Sequence, residues 1–404
     1  MTGTGSDRLS GSISEPAEAN DVPGAKKALI VAPAWVGDMV MAHSLVSLLK
    51  ERHPPAGIHL LAPTATAPLG QRMPGVDAVH ELAVGHGELG FARRRRLAGK
   101  LRALEFETAY VLPNSFKSAL IPWWAGIRRR TGWHGEARYG VLNDRRRLDA
   151  GRYPRMIDRF MALALPEGAA LPARWPRPEL RVDENNRRSA IERLGLDPAC
   201  SPASERPLGE CLDLDDDPDR NGDVDENVEP LRSESLHRED QPNLTLDRPV
   251  LALCPGAEYG AAKRWPAARF AAVANDRLRL GHAVWLLGSA GDTKVAGEIA
   301  AAAPGAVDLT GRTSLPDAVD LLSLANTVVT NDSGLMHIAC ALDRRVIAVF
   351  GSTSSGFTPP LSPLATVIED DLECRPCFQR ECPLMHLNCL RGIAPERVIA
   401  AMTP

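Results

Sequence analysis

The stretch ALIVAPAWVGDMVMAHSLVSLLK, Ala28–Lys50, decides the fold. Its first seven residues form a continuous apolar run, the pattern of a parallel strand buried on both faces. Gly37 allows a tight turn, and a helical pattern runs from Met39 to Lys50. Working outward, further strand patterns lie at Ile58–Ala62, Ala78–Leu82 and Thr108–Leu112, with helix patterns at Arg93–Leu104 and Ser115–Ala125 between them. A second block opens with PVLALCPG at Pro249. It continues as helix Ala267–Leu280, strand Ala283–Gly288, helices Thr293–Ala303 and Leu315–Leu324, strand Thr327–Thr330, helix Leu335–Leu342 and strand Val346–Phe350. Repeated strand–helix units imply parallel sheets covered by helices. Two such blocks predict an α/β protein of two Rossmann-like domains facing across a cleft, at 26–196 and 248–404. Ligands in such sheets sit beyond the carboxyl ends of the strands.

The 404 residues suffice for two domains. The net charge of −4 conceals an asymmetry. Residues 200–247 hold fifteen Asp or Glu against four Arg, a net of −11 that leaves +7 for the remainder. This stretch is poor in aromatic and β-branched residues, so 197–247 is expected to be a disordered acidic insertion. Its Asp213, Asp215, Asp216 and Asp217 are read as a solvated run rather than a metal site. Residues 1–25 are read as a tail, without the basic start and apolar core of a secretory signal. The expected location is the cytoplasm. No apolar run approaches the roughly 20 residues needed to span a bilayer.

Three strand-to-helix turns carry groups suited to chemistry. In PAWVGDM, Pro33–Met39, Asp38 can cap helix N–H groups or act as a general base at the cleft. In CPGAEYGAAKRWP, Cys254–Pro266, exposed amides with Lys263 and Arg264 suit a diphosphate, although a basic surface loop has the same composition. In TNDSGLMH, Thr330–His337, a helix N-terminus offers an anion site at Ser333 and Gly334. Asp332 would oppose an anion there unless it pairs with Lys263 or binds sugar hydroxyls. His337, one turn on, can reach the site or simply pack.

Two further groups stand apart from these turns. Cys374, Cys377, Cys382 and Cys389 begin with a metal-knuckle spacing, but the later gaps fit no common zinc pattern, so free thiols compete with a structural metal. Arginines cluster at Arg93–Arg96, Arg128–Arg130 and Arg145–Arg147. They suit ordinary solvated helix faces or an anionic partner. Aromatic residues are 5% of the chain, too few for many base-stacking platforms, so nucleic acid is not expected.

The ordered motifs WVGDM at Trp35, LPNSFKSAL at Leu112, RTGW at Arg130, RYGVLND at Arg138, CPGAEYG at Cys254, AKRWP at Ala262 and TNDSGLMH at Thr330 resemble the ADP-heptose:lipopolysaccharide heptosyltransferases. The resemblance covers Lys26–Leu196 and Asp247–Val398, and the branch that adds the second heptose is the nearest pattern. It implies a GT-B fold and an inverting transferase that requires no cofactor. The implied donor is ADP-heptose, held mainly by the second domain. The implied acceptor is heptosyl-Kdo2-lipid A, met by the first domain at the cytoplasmic face of an anionic inner membrane. Asp38 is then the catalytic base and Lys263 the phosphate contact. Gly256, Glu258, Arg264, Asp332, Ser333, Gly334 and His337 belong to the donor site. Gly37, Asn114, Lys117 and Trp133 belong to the acceptor site. Alternatives are a branch that adds the first or third heptose, another sugar transferase of the family, or a two-domain ligand-binding protein.

Overall fold

The computed structural model describes residues 27–52, 57–84, 90–196 and 248–402. The tail and the acidic insertion inferred from composition lie outside the described residues. Strands β1 (Lys27–Val31), β2 (Gly57–Pro63), β3 (Ala78–Leu82), β4 (Thr108–Val111), β5 (Arg129–Trp133) and β6 (Asp144–Arg146) form one sheet, ordered β3-β2-β1-β4-β5-β6. Strands β7 (Val250–Cys254), β8 (Ala283–Leu286), β9 (Ala306–Asp308), β10 (Thr327–Asn331), β11 (Arg345–Val349) and β12 (Ala365–Ile368) form the other, ordered β12-β11-β10-β7-β8-β9. All pairings within both sheets are parallel. The chain therefore builds two Rossmann-like sheets, the architecture implied by the resemblance. Strand order reverses between β1 and β4 and between β7 and β10, and ligands bind beyond such switch points.

The first block contributes helices α1 (Val36–Arg52), α2 (Ala67–Gln71), α3 (Phe91–Arg102), α4 (Phe116–Trp124), α5 (Met156–Met161) and α6 (Glu184–Leu194). The second contributes α7 (Ala267–Arg279), α8 (Thr293–Ala302), α9 (Leu315–Leu322), α10 (Gly334–Ala341), α11 (Asn388–Arg391) and α12 (Pro395–Ala401). Alternation along β1 divides the first domain's core. Ala28 and Ile30 face the cluster containing α1, whereas Leu29 and Val31 face that of α3 and α4. Helix α1 is apolar nearly all round because it lies between its own sheet and α10 of the other domain. Its buried His43 takes one tautomer: Nδ1 accepts from Glu179 N at 2.9 Å and Nε2–H donates to Pro74 O at 2.9 Å. Burial lowers its pKa, which keeps the ring neutral.

Several elements carry no apolar signature. Strands β5 and β6, sequences RRTGW and DRR, coincide with two of the arginine clusters. Their arginines are largely structural. Arg129 and Arg146 converge on Asp144 at 2.9 and 3.0 Å, and Arg146 also donates to the carbonyls of Ala162 and Leu165. Arg130 donates to Val141 O and Ile127 O. Arg129, Arg130 and Arg146 are thus engaged within the fold, tying β5 and the edge strand β6 in place, whereas Arg128, Arg145 and Arg147 stay exposed.

Helix α6 belongs to the first block in sequence but packs on α9 of the second. A polar clamp joins the domains there. Arg72 at the end of α2 binds Asp320 of α9 through two bonds of 3.0 and 2.8 Å, and Asp183 N and the Asn186 amide complete the carboxylate's shell. Asp320 is fully buried. Removing its cation leaves a buried charge, so Arg72→Ala should lower stability by about 3 kcal/mol in urea unfolding. A change below about 0.5 kcal/mol would show that the two amide donors suffice.

Candidate active site

The turn after β1 presents Asp38 as the third residue of α1. The carbonyl of Trp35 already accepts from Met39 N at 2.8 Å, so Trp35 occupies the capping position. Among the described residues, no backbone N–H donates to the Asp38 carboxylate. The capping role open in the sequence is therefore not the one the structure shows. Burial raises the Asp38 pKa to about 6; Lys263 opposes the rise and Asp332 adds to it.

Across from Asp38, the loop after β7 is held by Asn331 at the end of β10. The fully buried Asn331 accepts from Trp265 N at 3.0 Å and donates to Pro255 O at 2.7 Å. This brace delivers Lys263 to Asp332, with Nζ–Oδ2 at 2.6 Å. Thr353 Oγ1 donates to the same oxygen at 2.6 Å. The repulsion that Asp332 would offer an anion is thereby compensated. Ser333 caps α10 from an extended conformation without bonding its own helix through the side chain.

The two domains meet closely at this point. A Cβ on Gly37 would stand 2.7 Å from His337 Cδ2, and one on Gly334 would stand 2.6 Å from Val36 Cβ. Neither approach tolerates a side chain, which explains both glycines without appeal to backbone conformation. Burial pushes His337 down to about 4, so it packs as a neutral ring beneath the turn.

Between these elements lies a cavity of about 330 Å³, lined by Asp38, Lys263, Asp332 and His337, and walled by Tyr259 and Phe378. Beside it, a second cavity of about 240 Å³ lies beyond β7 and β8, lined by Gly256, Glu258, Ser289, Asp292 and Leu315. Val36, Glu258, Ser333 and Gly334 border both. A Cβ on Gly256 would fall 2.4 Å from the Asp292 carboxylate, so only glycine fits. Arg264 is turned to its own loop, with Nε donating to Ala257 O at 3.3 Å and the guanidinium 3.7 Å from Asp292.

Of the residues assigned to an acceptor, Gly37 alone borders these cavities. Asn114 is exposed and accepts from Arg138 at 3.2 Å; Lys117 is half-buried at the start of α4. Trp133 is a core residue, 4% exposed, with Nε1 bonded to Arg159 O and its ring against Tyr153. That burial leaves no room for direct ligand contact by Trp133 in this structure, and it lines neither cavity.

Composition did not reveal the aromatic wall. Tyr259 lies 5.4 Å beneath Lys263 Nζ and 5.2 Å from the Arg380 guanidinium, and its hydroxyl donates to Phe378 O at 2.6 Å. Arg138 is fully buried, bracing the loops after β4 and β5 through the carbonyls of Pro113 and Trp133. Its place in RYGVLND gave no sign of this.

The four tail cysteines line one small cavity with His386. All are free thiols. Among the described residues, no group of three or more His, Cys, Asp or Glu is arranged to hold a metal. The structural metal allowed by their spacing thus lacks support here.

The family model "Glycosyltransferase family 9 (heptosyltransferase)" matches residues 94–388. Lipopolysaccharide heptosyltransferase 2 of Salmonella typhimurium strain LT2 is 40% identical, over 92% of this chain and 96% of the relative. The protein of the same name from Escherichia coli K12 is 39% identical, over 92% and 96%. The solved structure of E. coli ADP-heptose lps heptosyltransferase II superposes with a TM-score of 0.73 at 35% identity, covering 93% of this chain and 97% of that one. A family 9 glycosyl transferase from Veillonella parvula, at 17% identity and a TM-score of 0.72, shares the fold. The matched family is one of enzymes, so the ligand-binding alternative is set aside. The chain belongs to glycosyltransferase family 9, the heptosyltransferases.

Proposed function

We propose that this enzyme transfers a heptose from ADP-heptose to the first heptose of a Kdo2-lipid A core, at the anionic cytoplasmic face of the inner membrane. One observation carries the mechanism: the Asp38 carboxylate, with no salt bridge among the described residues, shares a cavity with the Lys263–Asp332 pair across the domain boundary. The names of the full-length relatives support the substrate class.

The second cavity suits the nucleoside, beyond the carboxyl ends of β7 and β8. The diphosphate then faces the first turn of α10, where N–H groups at Ser333 and Gly334 and the helix dipole favour negative charge. Asp38 takes the proton of the acceptor hydroxyl as that oxygen bonds to the anomeric carbon. The bond from that carbon to the phosphate oxygen breaks, and ADP leaves with its electron pair. Lys263 stabilises the charge gained by ADP. One displacement inverts the anomeric centre.

Asp38 works as a base only when ionised. With its pKa raised to about 6, kcat/KM should fall tenfold per pH unit below about 6 and level off above it. A profile flat from pH 5 to 8 would remove Asp38 from the proton transfer. The acceptor assignment is tested by a panel in which Kdo2-lipid A carries no heptose or one. Transfer should require the heptosylated form, and preference for the bare form would reassign the branch.

A further inference from the structure

We infer that the α3–α4 face of the first domain docks on the headgroup layer of an anionic lipid bilayer. Helix α3, FARRRRLAGKLR, carries six basic residues and no acid. Arg94, Ala98 and Leu101 turn inward, while Arg95, Arg96, Lys100 and Arg102 stay exposed. The helix covers the sheet face opposite α1, so the second domain does not shield it.

The two flanks of α3 differ. On one, Phe91 and Trp123 are 51% and 45% exposed, and both lean on Trp124 with ring centroids 6.1 and 6.3 Å away. The Arg95 guanidinium sits 5.9 Å over the Trp124 ring. On the other, a groove of about 170 Å³ is lined by Arg93, Arg96 and Lys100, with Leu97 at its base and Glu81 as its one acidic wall residue. Exposed contiguous aromatics rimmed by cations mark an interaction surface. Tryptophan and phenylalanine beside arginine match the interfacial zone, where rings sit among headgroups and cations meet lipid phosphates. A basic cluster of this size on one helix suits an anionic leaflet, whose surface potential attracts each cation near it. The rings tilt against one another at 57° and 35°, which suits a wedge better than a set of parallel base platforms.

For its purpose the inference rests on the proposed lipid-borne acceptor, but its test does not. The full chain is sedimented with vesicles of phosphatidylglycerol and phosphatidylethanolamine, or of phosphatidylcholine alone. Binding should be at least tenfold tighter to the anionic vesicles. Arg96→Glu with Lys100→Glu should weaken it at least tenfold, and Phe91→Ser with Trp123→Ser severalfold. Bromolipid should quench tryptophan emission, less so in Trp123→Phe. Both double variants should keep the melting temperature of the parent. Unchanged vesicle binding by both, or binding to a duplex oligonucleotide in place of vesicles, would overturn the inference. Vesicle binding that obeys these expectations without any heptose transfer would instead count against the proposed reaction.

Discussion

Asp38→Asn should lower kcat by about 10²–10⁴-fold while ADP-heptose affinity changes less than about twofold. The asparagine keeps the size and position of the side chain, so binding geometry persists and only the proton acceptor is lost. The same change should stabilise the protein at pH 7.5. The pKa of Asp38 rises from 3.8 to about 6 on folding, so the folded state resists its ionisation. The sign follows from linkage: above about 6 the ionised group costs the fold its full penalty, between 3.8 and 6 part of it, and below 3.8 nothing. A gain on the order of 1–2 kcal/mol is expected at pH 7.5 and should vanish near pH 3.5. Turnover within threefold of the parent would dismiss the base; lost turnover with lost stability would recast Asp38 as structural.

Lys263→Ala carries the next largest effect and acts twice. It removes a cation placed to stabilise the leaving diphosphate, a loss of about 10²-fold or more in kcat. It also strands the buried Asp332 carboxylate, whose other close donor is Thr353 at 2.6 Å. Stability should fall by about 3 kcal/mol. The two roles separate in Lys263→Ala combined with Asp332→Asn, which should recover stability but not rate. Recovery of both would mean that Lys263 serves only to neutralise Asp332. Lys263→Arg is not expected to rescue, because a planar fork replaces a compact ammonium in a closely packed cavity.

Those residues were legible in the sequence because they sit in turns after apolar strands. The run Ala28–Val31 and the run Val250–Cys254 announced the strands, and the turns beyond them hold Asp38 and Lys263. Polar strands were not legible. RRTGW and DRR hide their pairing in arginines that find Asp144 only once folded. Trp133 was placed at the acceptor site only by the resemblance of its RTGW motif, which does not report exposure, and folding buries it against Tyr153. The aromatic wall was missed because Tyr259 and Phe378 are 119 positions apart and meet through a single side chain-to-carbonyl bond. Gly37 was read as a turn residue, whereas the imidazole of His337 from the other domain is what forbids a side chain there. Contacts across domains leave no local periodicity, so sequence patterns of period two or 3.6 do not report them.

The most direct test incubates the enzyme with ADP-heptose and heptosyl-Kdo2-lipid A and reads the product by mass spectrometry and NMR. The proposed reaction predicts the gain of one heptose, with the anomeric configuration inverted relative to the donor, and release of ADP. No heptose gained, or a product that retains the donor's configuration, would contradict single-displacement transfer with Asp38 as base.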